Sequence, residues 1–212
     1  NGYAIKGLTA PLFGTTSASF KGLHLKDVNI NATDAQHIAA LAVNITATDA
    51  VLPTVKNCSV SGNITVTNSG LTVSGDDTRL TIAGLAAQAF GVEFDSCHNA
   101  ANVTVSPAIS DAQSADYTLF AGGVAGRVDV YTKTDATVVF TNIYNSANSG
   151  NISTNNTSAS TKYPNTYVAG IVATSGTNNS SIKMEGCENR GKISIGGVTD
   201  GLYLAGVIGY AN

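Results

Sequence analysis

The sequence predicts an all-β protein, a right-handed parallel β-helix of about five coils, and two observations carry this prediction. A ten-residue block occurs four times without a gap, at residues 57–66, 96–105, 145–154 and 186–195. Equivalent positions lie 39, 49 and 41 residues apart (58 to 97, 97 to 146, 146 to 187), a period typical of solenoids. Within each block apolar and polar residues alternate, which indicates a strand with one buried and one solvated face.

Equivalent apolar positions of the blocks are predicted to stack inside the helix as continuous columns. The column that begins at Val55 and the column that begins at Cys58 are three residues apart in each repeat, which breaks strict alternation, so we expect a bend between them. A fourth column, at Gly62 and Ala101 and their equivalents, requires a very small residue. The three main columns are Val55, Phe94, Ile143 and Met184; Cys58, Cys97, Ser146 and Cys187; and Ile64, Val103, Ile152 and Ile193.

Asparagines form a further aligned set, Asn99, Asn148 and Asn189, with Val60 in the first copy. Stacked asparagines can satisfy their own amides along a solenoid, so we expect a structural ladder. A ligand-binding row of amides is the alternative.

The cysteines leave two interpretations open, free buried thiols or a Cys58–Cys97 bridge between neighbouring coils. The three cysteines occupy one repeat position, and Ser146 takes that position in the remaining copy. Because serine replaces cysteine there, the pattern favours small packed side chains without a disulfide.

The repeats extend over residues 1–212 and predict a single solenoid domain. Both ends look like opened repeats without the polar caps that terminal coils need, which predicts a segment of a longer protein. Gly- and Ala-rich blocks, each expected to form a strand, precede or link the repeats. The repeat units run roughly over 1–38, 39–79, 80–118, 119–166, 167–201 and, in part, 202–212.

Long polar loops at 67–78, 106–116 and 155–165 are expected to project from one side of the helix and to account for most of the variation in period. Insertions in solenoids often fall on the binding face. Three tyrosines in or beside these loops, Tyr117, Tyr163 and Tyr167, are therefore the candidate ligand contacts. Tyrosines that merely cover the edge of a coil are the alternative.

Composition excludes several function classes. Only 12% of residues are charged and the net charge is −3, which gives no electrostatic reason to expect nucleic acid. The sequence contains no run of about 18 apolar residues, so it predicts no membrane-spanning helix. A chain rich in Thr, Asn and Gly and without Trp is typical of an extracellular β protein.

Candidate catalytic groups are scattered, so we expect no enzyme, no metal site and no cofactor. The three histidines stand outside any zinc-binding spacing, and the loop acids lack the spacing of a calcium loop. Asp95 and Glu185 share a column two coils apart, so they do not form the carboxylate pair of a glycosidase. Lys56, in the same column, is expected to pair with Asp95.

The Gly-rich blocks resemble the GLUG motif of bacterial surface proteins. The matching segments read GLAA at 84–87, GVAG at 123–126, GIVA at 170–173 and GVIG at 206–209. The resemblance implies cell-surface display, adhesion-like roles and, in some members, fusion to an immunoglobulin-cleaving metalloprotease. It brings no catalytic residues with it.

The sequence therefore predicts a non-catalytic repeat segment of a secreted bacterial surface protein, with a role in adhesion or display. Host glycans or surface and matrix proteins are the expected partners, and the cell surface is the expected location. A passive spacer attached to an enzymatic domain elsewhere is the alternative. A β-helix polysaccharide lyase or hydrolase is a further alternative.

Overall fold

The computed structural model describes residues 3–68, 79–107, 117–156, 165–176, 182–197 and 201–211, and its regular elements over these ranges are all β-strands. In chain order they are β1 (Tyr3–Lys6), β2 (Phe13–Thr16), β3 (Phe20–Lys21), β4 (Leu23–Thr33), β5 (His37–Ile38), β6 (Ala42–Thr46), β7 (Thr54–Lys56), β8 (Ser59–Asn68), β9 (Arg79–Ala83), β10 (Ala86–Phe90), β11 (Glu93–Asp95), β12 (His98–Pro107), β13 (Thr118–Gly122), β14 (Ala125–Asp129), β15 (Tyr131–Thr132), β16 (Val138–Val139), β17 (Asn142–Tyr144), β18 (Ala147–Asn148), β19 (Ile152–Asn156), β20 (Asn165–Ala169), β21 (Val172–Ser175), β22 (Lys183–Glu185), β23 (Glu188–Asn189), β24 (Ile193–Gly197), β25 (Leu202–Ala205) and β26 (Ile208–Ala211).

Four parallel sheets contain nearly all of these strands, and each strand pairs with its equivalents one repeat away. Sheet A has the order β1-β4-β8-β12, followed by β18 with β19 and then β23 with β24. Sheet B is β2-β6-β10-β14-β21-β26, sheet C is β3-β7-β11-β17-β22 and sheet D is β5-β9-β13-β20-β25. This all-β arrangement is compatible with the predicted parallel β-helix. We call the strands that one repeat contributes a layer.

Within a layer the chain passes through sheets D, B, C and A, as in β9, β10, β11 and β12. The Gly-rich block was predicted to form one strand, but it contains the end of one strand, a two-residue corner and the start of the next strand. Gly84 and Leu85 lie between β9 and β10, and their backbone bonds go to the corner of the next layer. Alternation alone did not reveal this corner, because small apolar residues fit a bend as readily as a strand.

The predicted inward columns are confirmed by the strand register. Phe94 pairs with Val55 on one side and Ile143 on the other, and Ile143 pairs with Met184. The Ile64 column is continuous in the same way, from Ile64 through Val103 to Ile152 and Ile193. Most of these side chains are fully buried, while Met184 and Ile193 in a later layer are half-buried.

The predicted bend before the Cys column is made by residues in the left-handed region of backbone conformation. Asn57, Ser96 and Asn145 have φ values of 52°, 55° and 48°, and Gly186 has 64°. Each reverses the direction in which successive side chains point, which explains the spacing of three residues between two inward columns. Asn and Gly adopt this conformation at low cost, whereas Ser pays more.

The three cysteines are free, as predicted, and no bridge joins Cys58 to Cys97. The Cys97 Sγ donates to the carbonyl of Val55 at 3.1 Å, and burial raises the pKa of this thiol to about 12. Ser146 Oγ donates to the carbonyl of Tyr144, two residues before it, at 2.8 Å, and the thiols of Cys58 and Cys97 donate to the equivalent carbonyls of Lys56 and Asp95 at 3.3 Å and 3.7 Å. Serine and cysteine therefore fill the same small donor position.

The asparagines form a structural ladder inside the stack. Asn99 Nδ2 donates to Asn148 Oδ1 at 2.6 Å, and Asn148 Nδ2 donates to Asn189 Oδ1 at 2.7 Å. Each amide also donates to the carbonyl two residues further on, at Ala101, Gly150 and Gly191. Because Asn99 and Asn148 are fully buried, their amides bond only within the protein and cannot contact a ligand.

The glycines of the corner make room for this ladder. A Cβ at Gly84 would overlap Asn99 of the same layer, and one at Gly123 would overlap Asn148. In the layer that has Val60 in place of asparagine, Ala40 occupies the corner position and donates to the Gly84 carbonyl. In three layers the glycine therefore leaves room both for the asparagine of its own layer and for the corner carbonyl of the next layer.

The variation in period arises at the corner between sheets B and C, which corrects the prediction that the polar loops cause it. Register partners before and after this corner are separated by 13 residues (42 to 55), 8 (86 to 94), 18 (125 to 143) and 12 (172 to 184). Across the loops between sheets A and D the values are 18 (64 to 82), 18 (103 to 121) and 16 (152 to 168). The longest corner contains the antiparallel hairpin β15–β16.

The three polar loops lie almost wholly outside the described residues, so their predicted direction is not tested. The strands that precede them, β8, β12 and β19, are in register, and so are the strands that follow, β9, β13 and β20. Over the described ranges, the structure contains no helix of the length and apolarity needed to cross a membrane.

Candidate functional site

Two outer surfaces bring together side chains from different sheets or layers, and the first is a notch between sheets D and B. We define the notch as the outward face of both sheets beside the Gly-rich corner. Alternation places Thr81 and Phe120 of sheet D, and Gln88 and Arg127 of sheet B, on the outside, yet all four are at most 9% exposed. The two sheets therefore bend toward each other on their outer side.

Small residues allow this bend. Ala39, Ala83 and Ala87 form a buried cluster of their own, separate from the main core. A Cβ added at Gly126 would overlap the Thr81 side chain across the notch. The small Gly and Ala residues of the repeats thus allow close packing in the outer notch and also leave room for the inner asparagine ladder.

Polar side chains fill the notch at its earlier layers. Gln88 Nε2 lies 3.3 Å from the His37 ring nitrogens, which joins sheet B to sheet D. Arg127 forms an ion pair with Asp129 at 2.7 Å, and its guanidinium lies 5.4 Å from the centre of the Phe90 ring. Both side chains of the pair are largely shielded from water, so Asp129 fixes the position of the arginine.

Aromatic rings fill the notch at its later layers and form a row. Phe120 contacts Tyr167 with ring centres 5.1 Å apart, and Tyr167 stacks on Tyr203 at 4.4 Å with planes 3° apart. Tyr210 of sheet B meets Tyr203 edge-on at 5.5 Å. Burial raises the pKa of Tyr167, with Tyr203 and Tyr210 adding to the effect, so its hydroxyl is neutral at physiological pH.

The three predicted contact residues have different environments. Tyr117 is only 3% exposed and its hydroxyl donates to Asn156 at 3.3 Å, so its ring belongs to the core. Tyr167 is half-buried in the aromatic row, and Tyr163 lies outside the described residues. A role of Tyr117, Tyr163 or Tyr167 in binding a ligand stays a prediction.

The second surface is held together by Asp49, which sequence reasoning missed. Its carboxylate accepts hydrogen bonds from the Tyr131 hydroxyl at 3.1 Å, the Thr134 amide at 3.2 Å and the Thr134 hydroxyl. These bonds tie the loop after β6 to the hairpin β15–β16. The bonds from Thr134, first of all, lower the pKa of Asp49 below its ordinary value of 3.8.

The loop and the hairpin meet above the short corner of the layer between them. The turn at Gly91 has φ of 65°, and a Cβ there would overlap Tyr131. A glycine is therefore required at this position both by conformation and by close approach. The signal that could have revealed this contact was the extra length of the 49-residue period.

A cleft of about 250 Å³ opens beside this junction, and we call it the hairpin cleft. Leu52 and Pro53 line one side, Val139 and Phe140 line the other, and Glu93 lies at its base. Leu52 is 50% exposed and Phe140 is 43% exposed, which is high for such large apolar side chains. The rim of the cleft is thus an exposed apolar patch.

Glu93 rather than Asp95 pairs with Lys56, which corrects the predicted ion pair. Lys56 Nζ lies 2.8 Å from Glu93 Oε1, and this bond raises the pKa of the lysine. Asp95 accepts hydrogen bonds from Ser96 at 3.1 Å and from Asn145 at 3.2 Å instead. Both carboxylates are thereby fixed on the outer face of sheet C.

The histidines do not gather into a site. His98 is exposed and lies 2.9 Å from Ser149 Oγ, and His24 lies 2.8 Å from Ser59 Oγ. A shallow hollow of about 280 Å³ separates His98 from the exposed pair Glu188 and Arg190. Across the part of the chain that the structure describes, no three His, Cys, Asp or Glu side chains group as metal ligands.

One protein family matches part of this chain. Residues 1–62 match the family described as M26 IgA1-specific metallo-endopeptidase N-terminal region. The match covers less than a third of the 212 residues. It includes β1 to β7 and the first part of β8, and therefore the Asp49 loop and one side of the hairpin cleft. No curated protein matches the chain.

This match corrects the functional prediction from sequence. A non-catalytic repeat segment for adhesion or display was expected, whereas the match points to a protease-associated protein. The prediction was wrong because repeat composition reports the architecture of a solenoid. The same architecture serves unrelated functions, so it could not identify the protein to which this region belongs.

Proposed function

We propose that this chain is a protease-associated β-helical region that holds the protein substrate of a metallopeptidase. The match of residues 1–62 to the N-terminal region of an IgA1-specific metallo-endopeptidase carries this proposal. In this role the region supplies a rigid surface for the substrate and no catalytic group of its own. Its substrate is immunoglobulin A1 or a similar extracellular glycoprotein.

The outer surface supports a role in holding a protein. Exposed large apolar side chains cluster at the rim of the hairpin cleft, and such patches mark protein contact sites on soluble proteins. The cleft rests on three layers of paired strands, so its walls are held in place before a partner arrives. Preorganisation of this kind reduces the entropy that binding costs.

Three finer features belong to the same proposal. The stack is a right-handed β-helix of about five coils, whose corners are GLUG-type repeats. The region acts outside the cell, because immunoglobulin A1 is a secreted protein. Attachment to the cell surface is a further prediction that the match does not address.

Binding of purified chain 1–212 to immobilised immunoglobulin A1 tests the proposal, with immunoglobulin G as the control. We expect a dissociation constant below about 100 μM for immunoglobulin A1, and at least about tenfold weaker binding to immunoglobulin G. The same chain incubated with immunoglobulin A1 should leave the heavy chain intact on a denaturing gel. Absence of binding by a chain with an intact β spectrum would overturn the substrate-holding role. Cleavage would overturn the assignment of catalysis to another region.

A further inference from the structure

The hairpin cleft combines an apolar rim with an acidic surround. The three segments that build it are 47–56, 90–96 and 130–142. They carry four acids against two bases, a formal balance of 2 − 4 = −2 out of −3 for the whole chain. The six residues are Asp49, Glu93, Asp95 and Asp135 against Lys56 and Lys133.

The size of the cleft limits what it can take. It crosses three layers, contributed by β7, β11 and β17, which together span about 10 Å at 4.8 Å between strands. An extended chain advances about 3.3 Å per residue, so three or four residues fill this length. A volume of about 250 Å³ suits one or two apolar side chains rather than a folded domain.

We infer that the hairpin cleft binds a short extended polypeptide segment in which a large apolar residue is followed closely by a basic one. The apolar side chain lies between Leu52 and Phe140, both of which are about half exposed without a partner. The basic side chain lies over sheet C, where Glu93 and Asp95 occupy neighbouring outward positions. This inference rests on the proposed function, since it names the part of a protein substrate that this region would hold.

The charges select a basic segment over an acidic one. Glu93 already has Lys56 at 2.8 Å, and both side chains remain more than a third exposed, so the pair can accommodate a second cation. Asp95 accepts hydrogen bonds from the neutral donors Ser96 and Asn145, while Lys56, its register partner, is bonded to Glu93 and attracts Asp95 only through space. An acidic segment would meet a net negative charge beside the cleft, where four acids outnumber two bases.

Fluorescence anisotropy with three labelled octapeptides tests the inference on the intact chain. The first peptide is Gly-Thr-Leu-Arg-Leu-Thr-Ser-Gly, the second has Glu in place of Arg, and the third has Ser in place of both Leu. We expect the first to bind at least about tenfold more tightly than either of the others. Equal binding of all three would overturn the inference.

Variants locate the binding. Leu52→Ser and Phe140→Ser should each weaken binding of the first peptide about tenfold, and Glu93→Gln should weaken it about threefold. The melting temperature should not change, because Leu52 and Phe140 are exposed. Leu202→Ser is the matched control, since Leu202 is 51% exposed and far along the stack, and it should have no effect. Loss with Leu202→Ser but not with Phe140→Ser would overturn the inference.

A second copy of the chain is the competing occupant. Sedimentation of the parent and of Phe140→Ser distinguishes it, because self-association that this substitution abolishes would mean that the cleft holds another copy and would overturn the inference. Peptide binding requires no immunoglobulin. Failure of the chain to bind immunoglobulin A1, with peptide selectivity intact, would therefore contradict the proposed function alone.

Discussion

At the residue scale, the fold depends on side chains that satisfy each other between layers. The corner glycines and the ladder asparagines occur together in three layers, and Ala40 with Val60 replaces the pair in another. A buried amide without partners costs about 1–3 kcal/mol, so an asparagine in this position is tolerated only when the next layer supplies a partner. The ladder is therefore a property of neighbouring repeats rather than of one repeat.

Replacing Asn148 with Ala should destabilise the chain by about 3 kcal/mol. The substitution removes the acceptor of Asn99 and leaves the Gly150 carbonyl and Asn189 without their donor. Urea unfolding followed by circular dichroism measures the loss. Asn189→Ala is the matched control, since Asn189 is half-buried at the end of the described ladder, and it should cost about 1 kcal/mol. Equal losses for the two would contradict a ladder held by burial.

Sequence reasoning predicted the inward residues well and the buried outward ones poorly. Phe94 and Ile64 were assigned to the core because alternation along a strand is a local property. Thr81 and Gln88 have outward parity yet are buried, because the corner at Gly84 brings their sheets together. Burial of that kind depends on the angle between two sheets, which no spacing in a single repeat records.

At the element scale, the loop after β6 and the hairpin β15–β16 act together although about 80 residues separate them. Asp49 joins them through the Tyr131 hydroxyl and both donors of Thr134. The hairpin was not predicted, because the extra length of its repeat was assigned to the polar loops. The hairpin cleft escaped prediction for the same reason, since its two walls come from different repeats.

The Asp49 contact should weaken as the pH falls below about 4. The folded pKa of Asp49 lies below its ordinary value of 3.8, so the stabilisation is present above that value and disappears as the pH falls through the folded pKa. Hydrogen exchange of the Thr134 amide reports the contact directly. Its protection factor should fall on acidification, while Asp49→Ala should show the low value at every pH. Unchanged protection in Asp49→Ala would contradict this role.

At the scale of the whole molecule, stability comes from columns that continue through successive layers. Phe94 lies between Val55 and Ile143 and is fully buried, whereas Met184 is half-buried at the end of the same column. Each layer therefore relies on the layers on both sides to bury its apolar face. The regular period made this much predictable, whereas the period alone gave no sign of the protease association, which rests on the family match of residues 1–62.

Replacing Phe94 with Ala should cost about 3–5 kcal/mol, since it empties an internal layer. Met184→Ala should cost about 1–2 kcal/mol, because a half-buried side chain loses less apolar contact. The midpoints of urea unfolding compare the two variants. A loss for Met184→Ala as large as that for Phe94→Ala would contradict a column that is buried from both sides.

The corner between sheets B and C has one more consequence, for how such a surface changes over evolutionary time. Register partners on either side of it are 13, 8, 18 and 12 positions apart in successive layers, while the flanking strands keep their pairing. New sequence can therefore be grafted there without altering the framework, much as antibody loops vary on a constant sandwich. We expect related chains to differ in recognition mainly at this corner and to share the ladders beneath it.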